Sequence, residues 1–282
     1  MYTNSVSYYS DGMTLTAGFG VAVAQFAPGG DTAANLAAMR ELAATAAARG
    51  AAIVVFPEYS SFFVHPMDAR FLGAAESLEG PFVASLVALA VELGIHVVAG
   101  MAEATVTGDH FSNAVVAISP VVGHVATYRK LHLYDAFGAV ESDWVQAGEI
   151  EAPETFVVNG VTVGMQTCYD IRFPEVTRRL VDAGADLVLV PAEWVRGPLK
   201  EHHWRTLVTA RALENTIYIA AAGQTPPVGI GTSLIVDPMG VALAALGEAA
   251  DVAVAWIDPA RIESVRAKNP ALRMRRFGVH AF

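Results

Sequence analysis

Short apolar runs alternate with helix-length segments along most of the 282-residue chain. Ala52–Phe56, which reads AIVVF, is one such run, and Val161–Thr167 is another. Runs this short and this apolar are typical of strands buried on both faces. The predicted strands are Val21–Phe26, Ala52–Phe56, Ile95–Gly100, Phe111–Ser119, Gly123–Tyr128, Val161–Thr167, Asp186–Val190, Ile217–Ala222, Ser233–Val236 and Val252–Ile257.

Helix signals stand between the predicted strands. Asp31 can cap a helix that continues to about Arg49, while Pro81 and Pro174 suit first helical positions before Gly94 and Gly184. A fourth helix is predicted over Leu199–Asn215, and Pro120 separates an antiparallel strand pair. The pattern indicates an α/β fold with two βαβ-like halves, in which two mixed sheets pack face to face with helices outside.

We expect one domain over residues 21–282, because no charge-rich or Pro/Ser-rich linker interrupts them. Residues 1–20 are predicted to be an extension. They lack a basic n-region and contain Asp11, so they do not match a signal peptide. The longest uncharged run, Asn215–Val236, contains Pro226 and Pro227 at its middle, which favours two buried strands over a membrane span.

Composition narrows the class of partner. The net charge is −10, and an acidic chain without a basic stripe is a poor match for nucleic acid. Hydrophobic residues make up 54% of the chain and charged residues only 16%, so we expect a homodimer or larger homo-oligomer to cover part of the apolar surface. The single cysteine excludes an internal disulfide and suits the cytoplasm.

Three chemically distinct side chains follow predicted strands. Glu58 comes after AIVVFP, Lys130 after the strand at Gly123–Tyr128, and Cys168 after VTVGMQT. Functional groups gather just past the carboxyl ends of strands in α/β folds. Each residue also has an ordinary interpretation: a small buried hydrophobe for the cysteine, and solvated surface charges for the other two.

Their chemistry is complementary. A thiol is little ionised at neutral pH and needs a base or a lowered pKa, and Glu58 could accept its proton. The helix that begins at Pro174 is expected to present its positive end near Cys168 and favour the thiolate. Lys130 and the backbone N–H that follows the cysteine would then form an oxyanion hole for a carbonyl or amidine centre.

Three motifs, in this order, resemble the signatures of the nitrilase superfamily of carbon–nitrogen hydrolases: FPEY, YRKLHLYD and TCYDIRFPE. The resemblance runs from about Val21 to the C-terminus. It implies a four-layer αββα sandwich that dimerises by helix packing, with a Glu58–Lys130–Cys168 triad that uses no metal or cofactor. The cysteine would form a thioester with a small-molecule amide. Glu141 lies where such enzymes often carry a second glutamate, and it either orients Lys130 or is a surface residue.

CYDIRFPE is most similar to the branch that contains ω-amidase and deaminated-glutathione amidase. Those substrates are carboxylates, so Arg172 is a candidate carboxylate anchor, or else a structural partner of Asp170 or Glu175. Tyr169 and Trp194 are further candidates for substrate binding, although a core position for the tryptophan is also consistent. Tyr134, where this branch usually has Phe, and the loop FPEYSSFFVHP depart from its pattern.

Four readings of function therefore stay open. They are hydrolysis of a small amide, which the motifs favour, hydrolysis of an N-carbamoyl amino acid, nitrile hydrolysis, and a binding or scaffold role without activity. Cys-Tyr-Asp in place of the Cys-Trp-Glu of nitrilases proper makes the nitrile reading the weaker enzyme hypothesis.

Overall fold

Strands and helices alternate through residues 18–281, the part of the chain that this computed structural model describes. The strands are β1 Phe19–Gln25, β2 Ala51–Val55, β3 His96–Ala104, β4 Phe111–Ser119, β5 Gly123–Arg129, β6 Val145–Gln146, β7 Thr155–Val158, β8 Val161–Met165, β9 Leu187–Ala192, β10 Tyr218–Gly223, β11 Leu234–Val236, β12 Ala242–Ala245 and β13 Asp251–Ile257. The α-helices are α1 Thr32–Ala48, α2 Arg70–Ala74, α3 Pro81–Leu93, α4 Pro174–Asp182, α5 Lys200–Asn215 and α6 Pro259–Lys268.

The strands form two mixed sheets. The first has the order β13-β1-β2-β3-β4-β5, with β6 beside β4, and the second has the order β12-β11-β10-β9-β8-β7. Each sheet has three parallel strands at its centre, β1-β2-β3 and β8-β9-β10, with antiparallel strands on both sides. The two halves of the chain thus form sheets of similar topology, as we expected from the two βαβ-like patterns in the sequence.

The inner faces of the two sheets share one apolar core. Val21 and Val23 of the first sheet and Leu187 and Leu189 of the second belong to this core. Successive side chains of a strand point to opposite faces, so Ala22 and its even-numbered neighbours face the other way. Every residue of β1 is buried, because helices cover the second face.

Helices cover both outer faces. α1 and α3 pack Met39 and Leu86 against the outer face of the first sheet. α4 and α5 pack Leu180 and Trp204 against the outer face of the second. The four layers are therefore helix, sheet, sheet and helix, and the predicted αββα sandwich is confirmed.

Helix boundaries follow their sequence signals closely. Asp31 caps α1 by accepting hydrogen bonds from the backbone N–H groups of Ala33 and Ala34. Gly94 ends α3 in the left-handed conformation with a φ of 67°, which glycine adopts without strain. The sequence patterns did not predict β6, β7, β12, α2 or α6, and β1 begins at Phe19, two residues before its predicted start.

The predicted N-terminal extension falls almost entirely on residues that lie outside the described part of the chain. Within residues 18–281, no helix combines the length and the apolar character needed to cross a membrane.

Candidate active site

Three strands deliver the predicted triad to one edge of the sandwich. β2 ends three residues before Glu58, β5 ends directly before Lys130, and β8 ends three residues before Cys168. β5 runs in the same direction as β2, because two successive antiparallel pairings separate it from the parallel strands. The carboxyl ends of the strands therefore bring the three side chains together, as predicted.

Glu58 and Lys130 form a fully buried ion pair. The Lys130 Nζ lies 3.0 Å from Glu58 Oε1, and both side chains are almost inaccessible to solvent. Glu58 Oε2 accepts a 2.6 Å hydrogen bond from the backbone N–H of Glu193 at the end of β9. A surface position for either charge is thus wrong. Burial lowers the pKa of Lys130, but the charges of Glu141 and Glu58 outweigh it and raise the pKa well above its ordinary value.

Glu141 is the second carboxylate on Lys130. Its two oxygens lie 3.0 and 2.8 Å from Nζ, and Oε2 also accepts a hydrogen bond from the backbone N–H of Tyr134. Burial raises the pKa of Glu141, yet the charge and hydrogen bonds of Lys130 hold it below the ordinary value. The carboxylate is therefore ionised and buried, and the interpretation of Glu141 as a surface residue is wrong.

Asn113 and Tyr59 complete this polar cluster. The Asn113 side-chain amide donates to Glu58 Oε1 at 2.6 Å and lies 3.2 Å from Glu141 Oε1, and the Tyr59 hydroxyl donates to Glu141 Oε1 at 2.7 Å. Both carboxylates are thereby held in fixed positions on either side of the ammonium. The sequence patterns did not single out these two residues. A buried amide in the mostly apolar β4 is the signal that could have pointed to Asn113.

Cys168 opens a 3₁₀ turn over Cys168–Arg172 and has a φ of 46°, in the left-handed region. This conformation costs a non-glycine residue on the order of 1–3 kcal/mol and recurs at functional sites. The Sγ donates to the backbone carbonyl of Glu193 at 3.4 Å. The same residue thus binds Glu58 through its N–H and Cys168 through its carbonyl.

The resting thiol is neutral. Burial raises the pKa of Cys168 well above its ordinary value, and the charge of Glu58 raises it further, while Lys130 opposes both. The expected thiolate at the positive end of the helix that begins at Pro174 is therefore wrong. The 3₁₀ turn separates Cys168 from α4, and the largest effect of a charge on the thiol comes from the carboxylate of Glu58.

A cavity of about 880 Å³ opens onto the triad. Glu58, Lys130 and Cys168 lie at its walls with Glu141, and so do the three candidates for substrate binding, Tyr169, Arg172 and Trp194. Trp194 lines the cavity, and its ring also packs against Trp204 in the core. The two positions expected for this tryptophan, at the site and in the core, are therefore both correct.

Arg172 does not pair with Asp170 or Glu175. Asp170 instead accepts hydrogen bonds from the Tyr128 hydroxyl and from the backbone and ring of His132. The Nε and Nη2 atoms of Arg172 are buried and have no hydrogen-bond partner among the described residues. Its guanidinium carbon lies 4.9 Å from the centre of the Trp194 ring. The expected pairing of Arg172 with Asp170 or Glu175 is thus wrong, and the residue lines the cavity with two buried donors unpaired among residues 18–281.

Two titratable side chains that the sequence patterns did not assign to the site, Glu193 and Lys200, also line the cavity. Burial and, to a smaller extent, the charge of Glu58 raise the pKa of the Glu193 carboxyl well above its ordinary value. Lys200, the first residue of α5, places its Nζ 2.9 Å from the Tyr134 hydroxyl. Among residues 18–281, no group of three or more His, Cys, Asp or Glu side chains is placed to hold a metal ion.

Comparison with known proteins identifies the family of this chain. The family model for carbon-nitrogen hydrolases matches residues 20–267, which is most of the chain. A deaminated glutathione amidase of Escherichia coli O157:H7 is 51% identical over 153 residues, which span 54% of this chain and 58% of that protein. A hydrolase of Mycobacterium tuberculosis, MT0498, is 38% identical over 270 residues, 90% of this chain and 94% of its own length.

Among solved structures, the amidase of Nesterenkonia sp. AN1, described as a nitrilase superfamily member, superposes with a TM-score of 0.77 at 26% identity, over 92% of this chain and 94% of that one. That solved structure is of a variant enzyme, in which the acetamide moiety of fluoroacetamide is bound covalently to the active-site cysteine. The chain described here belongs to the carbon–nitrogen hydrolase family, within the nitrilase superfamily, and it is a hydrolase that acts on carbon–nitrogen bonds other than peptide bonds.

Proposed function

We propose that this enzyme hydrolyses a small-molecule amide to a carboxylic acid and ammonia or an amine, through a thioester on Cys168. The observation that carries the proposal is the buried row of Glu58, Lys130 and Glu141 at the wall of a cavity that Cys168 also lines. Glu58 is the base, Lys130 is a cation held in a fixed position, and Glu141 is a second carboxylate. All three lie near the neutral thiol of Cys168.

In the first half-reaction the Cys168 sulfur attacks the amide carbon while Glu58 takes the thiol proton. The carbonyl oxygen becomes an oxyanion, which the Lys130 ammonium and the backbone N–H of Tyr169 stabilise. The protonated Glu58 then passes its proton to the amide nitrogen, the carbon–nitrogen bond breaks, and ammonia or an amine leaves. The acyl group stays on sulfur as a thioester.

In the second half-reaction a water molecule attacks the thioester carbon and gives a proton to Glu58. The tetrahedral intermediate collapses, the carbon–sulfur bond breaks, and the sulfur recovers that proton. Because the thiol is neutral before the reaction, every turnover needs the carboxylate of Glu58 at the start of both halves.

Glu141 is proposed as a positioning residue for Lys130. Between two carboxylates and without free rotation, the ammonium is charged and oriented before substrate enters, which lowers the reorganisation that the oxyanion would otherwise demand. Tyr59 and Asn113 support the same arrangement through Glu141 and Glu58.

The acid portion of the substrate is proposed to carry a carboxylate, bound by Arg172 within walls formed by Tyr169 and Trp194. The free Nε and Nη2 donors of Arg172 support this, since a guanidinium matches a carboxylate bidentately. The relatives named deaminated glutathione amidases make deaminated glutathione the first substrate to test. An N-carbamoyl amino acid would satisfy the same arginine, and the release of carbon dioxide together with ammonia separates that alternative.

We also propose that residues 21–282 act as one domain in the cytoplasm, where the lone thiol stays reduced. The enzyme is proposed to need no metal or cofactor, because the triad supplies both the proton transfers and the oxyanion charge.

The experiment that tests this function is Cys168→Ala. The purified variant is expected to lose at least about 10⁴-fold in ammonia release from a panel of small amides, since removing a nucleophile abolishes the covalent route. Glu58→Gln is the matched variant, because it keeps the thiol and the shape of the site but removes the base.

Mass spectrometry of the wild-type enzyme, quenched during turnover, is expected to find the acyl group on Cys168. Ammonia release that survives in Cys168→Ala would contradict the mechanism.

A further inference from the structure

Lys200 places an ammonium inside the substrate cavity. The residue is buried, and its Nζ donates to the Tyr134 hydroxyl at 2.9 Å. Aromatic rings surround the remaining donors, with the centres of the Phe137 and Trp194 rings 4.5 and 5.6 Å from Nζ. Among residues 18–281 the bond to Tyr134 is the one hydrogen bond of the ammonium, so its further N–H donors have no acceptor there.

The surroundings of this charge are unfavourable in three ways. Burial lowers the pKa of Lys200, and the positive charge of Arg172 lowers it further. Lys200 is also the first residue of α5, a 16-residue helix whose positive end repels a cation. In the part of the chain that the structure describes, Lys200 forms no ion pair that would offset these costs.

Arg172 shares the aromatic wall with Lys200. Its guanidinium carbon lies 4.9 Å from the centre of the Trp194 ring and 5.9 Å from that of Phe137, the same two rings that flank the ammonium. Two of its nitrogen atoms are buried without a partner. The two cations, Lys200 and Arg172, thus lie beside the same two rings, Phe137 and Trp194, at the wall of the cavity.

Glu193 forms no ion pair with either cation within residues 18–281, and its Oε1 is buried there without a hydrogen-bond partner. Burial and the charge of Glu58 raise the pKa of its carboxyl, while Lys130 and Lys200 lower it. Two cations that share a cavity wall without a paired counter-charge cost free energy, and an anion that binds between them removes that cost.

We propose that Lys200 is a specificity-determining residue that, together with Arg172, binds the carboxylate of an anionic amide substrate. The inference rests on the proposed function and deepens it, since it names a second anchor and makes a negative charge a requirement for efficient turnover. Arg172 supplies the planar fork, and Lys200 supplies a second point charge. The buried Trp194 ring, which contacts both cations, keeps water from one side of them and strengthens both interactions.

The test compares two amides of matched length, glutaramate, which carries a carboxylate, and pentanamide, which does not. Lys200→Met keeps most of the side-chain volume and removes the charge. We expect the ratio of kcat/KM for glutaramate over pentanamide to fall about 10- to 100-fold, mainly through KM, because a hydrogen bond to a charged group is lost. Lys200→Arg is expected to recover part of the ratio.

Lys268→Met is the matched control, because Lys268 is exposed at the end of α6. It is expected to leave both rates unchanged. Equal losses for both amides in Lys200→Met would overturn the proposal, since they would assign the lysine a structural role. Circular dichroism checks that each variant folds, and Lys200→Gln replaces the methionine variant if that one does not.

Calorimetry with glutarate separates this inference from the proposed function. Glutarate carries the same carboxylate and needs no turnover, so its affinity reports on the anchor even if neither amide is hydrolysed. The dissociation constant is expected to rise about 10- to 100-fold in Lys200→Met and in Arg172→Met. Unchanged glutarate binding in Lys200→Met would contradict the role of the lysine whatever the catalytic result.

Discussion

Cys168 combines a strained backbone with a neutral side chain. The positive φ and the 3₁₀ turn that follows direct Sγ toward the carbonyl of Glu193, beside Glu58. The site therefore holds Cys168 as a thiol, and not as a thiolate, before substrate binds. In the proposed mechanism, the thiol ionises only when a substrate carbonyl is present, because the carbonyl accepts the electron pair as Glu58 accepts the proton.

This coupling predicts the titration of Cys168. Because burial and Glu58 raise the folded-state pKa, the thiol keeps its proton at a pH where the unfolded chain has lost it, so its contribution to stability declines as pH rises above the ordinary cysteine value. The ultraviolet thiolate absorbance of the wild-type enzyme, minus that of Cys168→Ala, is expected to stay flat through neutral pH and to increase only above the range of a free cysteine. A thiolate step at or below that range would contradict the resting state described here.

At the level of elements, β3 holds the loop that carries Glu58. The backbone N–H of Gly100 donates to the carbonyl of Pro57, and the N–H of Ser61 donates to the carbonyl of Gly100. A Cβ at Gly100 would lie 2.6 Å from both Glu58 Cα and Tyr59 N, which are backbone atoms. The strand and the loop thus meet at a distance that only glycine permits.

Gly100→Ala is therefore expected to displace Glu58. We expect kcat/KM to fall by about 10- to 100-fold, because small displacements of a catalytic group cost that much, and the free energy of unfolding to fall by about 1–3 kcal/mol. Steady-state kinetics and urea denaturation measure the two effects. Gly73→Ala is the control, since a Cβ there meets nothing within 4 Å. Wild-type activity in Gly100→Ala would show that the loop can move without consequence.

For the whole molecule, apolar side chains remain exposed where α5 ends. Leu213, Met239, Val241 and Leu243 are all exposed, and Gly240 places the turn after β11 directly against Leu213. We call these four residues the Leu213 patch. In a chain with few charged residues, a contiguous apolar patch marks a surface that another protein covers, and a second copy of the chain is the simplest partner.

The prediction is a homodimer or larger homo-oligomer that involves the Leu213 patch. Light scattering of the wild-type protein at micromolar concentration is expected to give a multiple of the 29.7 kDa chain mass, and Leu213→Glu is expected to shift it toward the monomer, because an unpaired carboxylate would be buried in the interface. Val106→Glu places the same charge on an exposed loop and serves as control. A monomeric wild-type protein would contradict the prediction.

Much of the architecture was predictable from the sequence. Short apolar runs such as AIVVF predict strands buried on both faces, and capping residues predict where the neighbouring helices begin. Both signals can be recognised because they depend on residues that are close together in the chain. The positions of Glu58, Lys130 and Cys168 were predictable for the same reason, since each follows a strand and strand ends share an edge. β12, whose four alanine and leucine residues are mostly exposed, carried no such pattern and was missed.

The charge states and pairings within the site depend on how the sheets and helices pack. The alternating strands and helices, and the residues that reach the site, could be predicted from the sequence because they depend on local patterns of burial and turns. These patterns did not predict that Asp170 pairs with His132 and leaves Arg172 free, that Glu58 lies against a buried thiol, or that Lys200 faces the same rings as Arg172. Electrostatic energies depend on the distances between charged groups and on their exposure to solvent. For residues from separate strands and helices, both quantities are set only when the sheets and helices pack.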